Sequence, residues 1–333
     1  MSPGYAHPAM EFRPGVIPLR PLNLSDLYGA VIKAIRGNVA ATMGLAFVTT
    51  LIFLVPTTAL GAWIASQESL DFESTEDVFP VAGTIGSVVP SLGTSLSAIL
   101  LTGFVAFVIS QAVMGRKVTA GQTWEGTRGR LPALVGATIV TGLAITLALA
   151  AVLVLPVLAL VAATTGGNDS GIAGAVVLTL GAALVAIALA LFLSTRLAFV
   201  GVAVVLEKAS VGQGIARSWR LTSGSQFWRV LGIRILTGII VGIAAQILTV
   251  PLSIIGTFGV IGTGDPSDMF VWQSVIAGVT GLITGALTTP FTAGVDALLY
   301  VDQRIRREGF DVQLITAAQD DATRQWPGAA LRR

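Results

Sequence analysis

The chain is 333 residues long, more than half of it apolar (53%) and only 11% charged, with a formal net charge of +2. That balance excludes an ordinary soluble protein and is the composition of one embedded in a membrane. There is no cysteine, which excludes disulfides, iron–sulfur clusters and thiolate metal sites.

The N-terminal tail, 1–23, contains Pro and Gly and the sole histidine, His7, read as a solvated residue. It has no basic stretch followed by a short apolar segment and a small-residue cleavage site, so no removable signal peptide is expected and the first apolar helix serves as an uncleaved anchor. Six apolar runs follow, at 39–65, 91–114, 132–163, 172–195, 230–254 and 275–300. Each is long enough as a helix to cross a hydrocarbon core of roughly 30 Å. None shows the alternation of a barrel strand, and lipid requires every backbone group to be satisfied within its own segment, so the predicted fold is all-α: a helical bundle of six spans over 24–314. The third run exceeds one bilayer thickness and needs tilt, protrusion or a bend at Pro156. A polar tail, 315–333, closes the chain, with Trp326 a candidate interfacial contact.

Charge sets the expected orientation. The connections at 66–83, 164–171 and 261–273 carry Glu68, Asp71, Glu73, Glu76, Asp77, Asp169, Asp265 and Asp268 but no lysine or arginine. All twenty basic residues fall in the other connections, their helix ends or the tails. By the positive-inside rule both termini are cytoplasmic. Trp63 and Trp272 then mark the outer boundary, and Trp124, Trp219 and Trp228 the inner one. A basic inner face suits the bilayer's anionic headgroups, and no nucleic-acid partner is expected.

One unit recurs with a period of about ninety residues: an amphipathic segment, a long span containing a proline, an acidic outer connection and a returning span. The units cover about 24–115, 118–207 and 210–302, with Pro56, Pro156 and Pro251 in their outgoing spans. Two spans per unit keep all three in one orientation, as parallel repeats. The amphipathic opening of the third unit interleaves Arg217, Trp219, Arg220, Trp228 and Arg229. These are candidate interfacial contacts, either elbows in the headgroup plane or a lipid or partner site.

Gly238 and Gly242 in the fifth span, and Gly278, Gly281 and Gly285 in the sixth, have the three- and four-residue spacing of close helix packing. Arg196, Arg234 and Asp296 form a candidate intramembrane polar cluster. A lone charge at such depth costs on the order of 3 kcal/mol, so pairing or water access is expected. Either an ion pair of Asp296 with one arginine or a proton- or substrate-handling site answers this.

The segments Arg20-Pro21-Leu22-Asn23-Leu24-Ser25-Asp26-Leu27, Glu207, Arg217-Ser218-Trp219-Arg220-Leu221, Phe227-Trp228-Arg229-Val230-Leu231-Gly232 and Leu299-Tyr300-Val301-Asp302-Gln303-Arg304-Ile305-Arg306-Arg307-Glu308-Gly309-Phe310-Asp311 resemble an actinobacterial multi-pass family. That family is similar to the membrane domain associated with glycerophosphoryl diester phosphodiesterases. The resemblance runs over 18–314 and implies a bacterial plasma-membrane location. It does not carry the activity over, because phosphodiesterase chemistry needs a soluble barrel with metal-binding carboxylates and catalytic histidines, for which this chain has neither room nor residues.

No GxSxG, HExxH or GxxxxGK[ST] occurs, so no catalytic residue, metal or cofactor is expected. The acidic stretch from Glu68 to Asp77 reads as a solvated loop. Two functions remain: a non-enzymatic component that binds or moves a lipid, envelope precursor or small molecule, and an accessory subunit that docks a membrane-associated enzyme.

Overall fold

The structure is a computed structural model that describes residues 15–18, 20–67, 81–166, 169–263, 268–319 and 326–327. His7, the acidic residues from Glu68 to Asp77, Asp265 and most of both tails lie outside the described residues. Among those described, the chain is helical throughout, with no strand. Six helices are long and apolar enough to cross a membrane, and this is a multi-pass all-α protein.

Helix α1 (Leu24–Gly37) leads through a π-helical turn (Ala40–Gly44) into α2 (Leu45–Ala65), and α3 (Val81–Val113) returns. The order repeats as α4 (Ala120–Arg128), α5 (Leu131–Thr165) and α6 (Asp169–Arg196). A short α7 (Val200–Leu206) precedes the third round, α8 (Val211–Leu221), α9 (Gln226–Thr263) and α10 (Asp268–Glu308), before α11 (Phe310–Gln319). The three short amphipathic helices start in one way. Asn23, Thr119 and Ser210 each accept a hydrogen bond from the backbone N–H three residues on, and Asp26, Gln122 and Gln213 bond back, closing a capping box. Pro56, Pro156 and Pro251 lie inside α2, α5 and α9.

The three units pack unequally. α2, α3 and α10 form a tight trio made close by glycine. At Gly61 and Gly86 the two backbones of α2 and α3 touch, so that a Cβ on either would collide with the other's carbonyl. Gly278 lies against Thr58, and Gly281 against Thr94 and Leu54. The small face of the sixth span thus packs closely, as its spacing suggests, and its partners are α2 and α3. Gly238 and Gly242 of α9 face open space. The α5–α6 hairpin is held together by contacts such as Thr179 Oγ1 donating to the Pro156 carbonyl (3.2 Å). Apart from Pro156, its α5 arm is buried only near its start, at Leu134 and Ala137.

The continuous apolar core lies at the charged end of the bundle, where the ends of α3 and α10 meet α1, α7, α8 and α11. α10 is about 60 Å long at 1.5 Å per residue, twice a hydrocarbon core, so its last third is free to organise this base. Phe199, Tyr300 and Phe310 are fully buried there. The stretch after Arg196 turns back into the base. It is α7, whose valines are buried between α3 and α8. Ser218 makes the reversal possible: its hydroxyl donates to the Arg196 carbonyl (2.6 Å) at the end of α6 and accepts from the Phe199 N–H (3.1 Å) at the start of α7.

Candidate functional site

α9 and α10 run antiparallel with a register that side chains report along their length. Gly256 faces Ile276, Arg234 pairs with Asp296 and Arg229 pairs with Asp302. A row of polar residues runs along α10 from the far end to the charged end. Along α10 every fourth residue is Thr280, Thr284, Thr288, Thr292, Asp296, Tyr300, Arg304 and Glu308. Four-residue steps advance about 40° per step around a helix of 3.6 residues per turn. The row therefore winds slowly from the α9 side at the far end into the base at the charged end.

At the charged end the row enters a buried ionic network. Arg217 of α8 is 6% exposed and lies between two carboxylates. Its Nη2 donates to Glu207 Oε1 (2.8 Å) and to Glu308 Oε2 (2.7 Å), while Nη1 bonds Glu308 Oε1, a two-pronged grip that suits the planar guanidinium. Tyr300 donates to Glu207, and Arg304 Nε to Glu308 (3.3 Å), with the Arg304 guanidinium 3.5 Å over the Phe310 ring. Burial works against the charge of Arg217, but the hydrogen bonds it donates to Glu308 and Glu207 outweigh it and raise its pKa. Beside this network Asp302, fully buried, accepts from Arg229 Nη2 (3.2 Å), Arg306 Nε (2.9 Å) and the Leu22 N–H (2.8 Å). Both arginines also bond the Leu22 carbonyl, tying the segment before α1 to the base.

The structure splits the polar cluster expected from sequence. Arg234 and Asp296 come together (Nε to Oδ1, 3.7 Å), and Arg234 Nη1 also donates to the Ser194 carbonyl (3.0 Å). Arg196 is elsewhere, in a cage of Phe192, Trp219 and Phe227, with each ring centroid 5.0–5.3 Å from its Cζ, and it donates to the Thr222 carbonyl (3.0 Å). Of the expected interfacial residues, Trp219, Arg220 and Trp228 are exposed, Trp228 the most at 72%. Arg217 and Arg229 correct that expectation: both are engaged by carboxylates of the base and turn inward. Sequence reasoning missed Tyr300, Arg304 and Glu308 as partners. Their four-residue spacing was the available signal, but Glu207 and Arg217 reach them only through the fold.

Toward the far end the seam opens into a cleft of about 750 Å³ between α9 and α10. Gln246, Thr249, Ser253, Gln273, Thr280 and Thr284 contribute its polar lining, and among the described residues no charged side chain lines it. Thr249 donates to Gln246 Oε1 (3.1 Å), which leaves the Gln246 Nε2 hydrogens without a partner within the described residues. The Gln273 amide and Thr280 hydroxyl make no hydrogen bond within them either. Between cleft and ion pair, Tyr28 of α1 stacks on Phe291 (5.8 Å) and its hydroxyl meets that of Thr237 (3.0 Å). Neither Arg196, Arg234 nor Asp296 lines this cleft.

No group of three or more His, Cys, Asp or Glu with metal-binding geometry is found among the described residues. Neither a curated protein nor a solved structure matches the chain. A family model described as a domain of unknown function, DUF7847, matches residues 29–302, from within α1 to within α10, so that Glu207, Arg217 and Tyr300 fall inside the match and Arg304 and Glu308 beyond it, and the chain belongs to that family.

Proposed function

We propose that this protein is a non-enzymatic component of a bacterial plasma membrane that binds or moves a lipid-like amphiphile along the α9–α10 seam, with its charged base in the cytoplasm. The observation that carries this reading is the cleft: within the described residues the Gln246 Nε2 hydrogens, the Gln273 amide and the Thr280 hydroxyl have no partner, and they are set into two spans long and apolar enough to cross a membrane. An unsatisfied polar group in hydrocarbon costs several kcal/mol, so groups of this kind call for a ligand, water or another helix. The cleft is also within the size range of small-molecule sites, roughly 300–1,000 Å³. The absence of Lys and Arg from the connections at the far end supports the orientation.

A second reading, an accessory subunit that docks another membrane protein, draws support from a different observation. Gly238 and Gly242 of α9, and Gly142, Gly174 and Gly181 of the α5–α6 hairpin, have open space where a neighbour would sit. Native mass spectrometry of the protein released from its own membranes separates the two. Retention of a lipid that is lost in Gln246→Leu supports binding or transport; a stoichiometric protein partner without a specific lipid overturns it in favour of the accessory role.

A further inference from the structure

We infer that the cleft between α9 and α10 selects an uncharged amphiphile of the outer leaflet, one whose head offers ester carbonyls and hydroxyls as a diacylglycerol does, and discriminates against anionic phospholipid heads. The inference rests on the proposed binding function and names its ligand class.

Three features of the cleft carry it. First, its polar groups among the described residues are neutral: two amides and four hydroxyls, with no cation among them to meet a phosphate. The arginines of the same seam are at the other end, and each is already engaged, Arg234 by Asp296 and Ser194, Arg229 by Asp302 and Leu22. Moving a phosphate into this cleft would strip its water without returning a charge-assisted bond.

Second, the free groups complement an ester and a hydroxyl. Gln246 Nε2 presents N–H donors with no partner, which suits a carbonyl oxygen. Gln273 and Thr280 each offer both a donor and an acceptor, which suits a hydroxyl.

Third, the depth is that of one leaflet. From Gln273 to Thr284 the helix rises roughly 16 Å, about half of a hydrocarbon core. Beyond Thr284 the seam is closed by Tyr28 on Phe291 and by the Tyr28–Thr237 hydroxyl contact. A head entering from the far end can therefore descend to mid-depth, while its chains stay beside the exposed Ile243, Ile247 and Val250.

The test uses the full chain in lipid nanodiscs with a diazirine-bearing diacylglycerol, mapping the labelled peptides and competing with unlabelled diacylglycerol or phosphatidylglycerol. Labelling is expected on peptides from 246–256 and 273–284, displaced by diacylglycerol and not by phosphatidylglycerol. It should fall about fivefold or more in Gln246→Leu and again in Thr280→Val, the loss of one net hydrogen bond each. Thr280→Val is near isosteric and removes no bond within the chain, so melting at the wild-type temperature certifies its fold. If phosphatidylglycerol displaces the label equally well, and the variants lower both, the ligand class is overturned while the binding function stands. Labelling spread over all lipid-facing peptides and indifferent to the variants overturns the binding function as well.

Discussion

Arg217 shows how far a side chain's role depends on what surrounds it. On its own helix it is one of several basic residues beside tryptophan; in the base it donates hydrogen bonds to Glu207 and Glu308 together, with Arg304 set between the same two carboxylates. Replacing it by methionine leaves two buried carboxylates sharing Arg304, which is expected to cost about 3–5 kcal/mol, the usual penalty for breaking a buried pair from one side. Detergent-solubilised Arg217→Met should therefore lose monodispersity at a clearly lower temperature; melting at the wild-type temperature would show that the network does not stabilise the base. The Arg234–Asp296 pair makes a different demand. It is longer and partly exposed, 27% for Arg234 and 17% for Asp296. Asp296→Asn is expected to cost roughly 1 kcal/mol, mostly recovered in Asp296→Asn/Arg234→Gln, where no unpaired charge remains. Thermal unfolding of the two variants side by side checks the coupling. If the double variant is no more stable than the single one, Asp296 is not chiefly a partner of Arg234 and a proton-handling role regains its place.

At the scale of elements, glycines of similar spacing have opposite consequences. Gly86 brings α3 into backbone contact with α2, and Gly242 on α9 meets nothing. Gly86→Val is expected to destabilise by about 3 kcal/mol through overpacking, and Gly242→Val by no more than about 0.5 kcal/mol, both read from thermal unfolding in detergent. A fully stable Gly242→Val protein that no longer retains a membrane partner would assign the open face of α9 to docking. Capping boxes explain why α1, α4 and α8 form as separate short helices despite their lengths. Each has a capping box at its start and buries one face, α4 with Thr123 and Thr127. α8 does so with Gly214 and Leu221 as well as Arg217 and Ser218.

The whole molecule is a compact base from which spans of unequal packing rise. α2, α3 and α10 are bound to one another, whereas α9 and the α5–α6 hairpin leave most of their apolar surface for lipid or a partner. Because the chain has no cysteine, its orientation can be tested with single introduced thiols. Glu125→Cys, exposed on α4 at the charged end, should react with a membrane-impermeant maleimide only after cells are permeabilised. Gln67→Cys, exposed just beyond α2 at the far end, should react in intact cells. The reverse pattern would invert the proposed topology and place the cleft in the inner leaflet.

The number and order of the spans, the all-α class and the three capped amphipathic helices were legible in the sequence, because each rests on a local rule: length against bilayer thickness, backbone satisfaction within a segment, and side-chain capping three residues apart. The ends of α3, α9 and α10 were not: α3 begins ten residues before its apolar run, where Gly86 packs on Gly61 and Ala65 of α2, and α10 continues past its run into the base, so tertiary contacts as well as lipid set the helix lengths. Which charges meet was likewise undecided. Asp296 could have taken Arg196 or Arg234, and only the antiparallel register of α9 on α10 gives it Arg234 while three aromatic rings claim Arg196. Local pattern says that a helix forms and which of its faces is apolar. Partners hundreds of residues apart, such as Leu22 with Asp302, are chosen by packing, because the cost of burying a charge is met only where the fold brings its counterpart within hydrogen-bond reach.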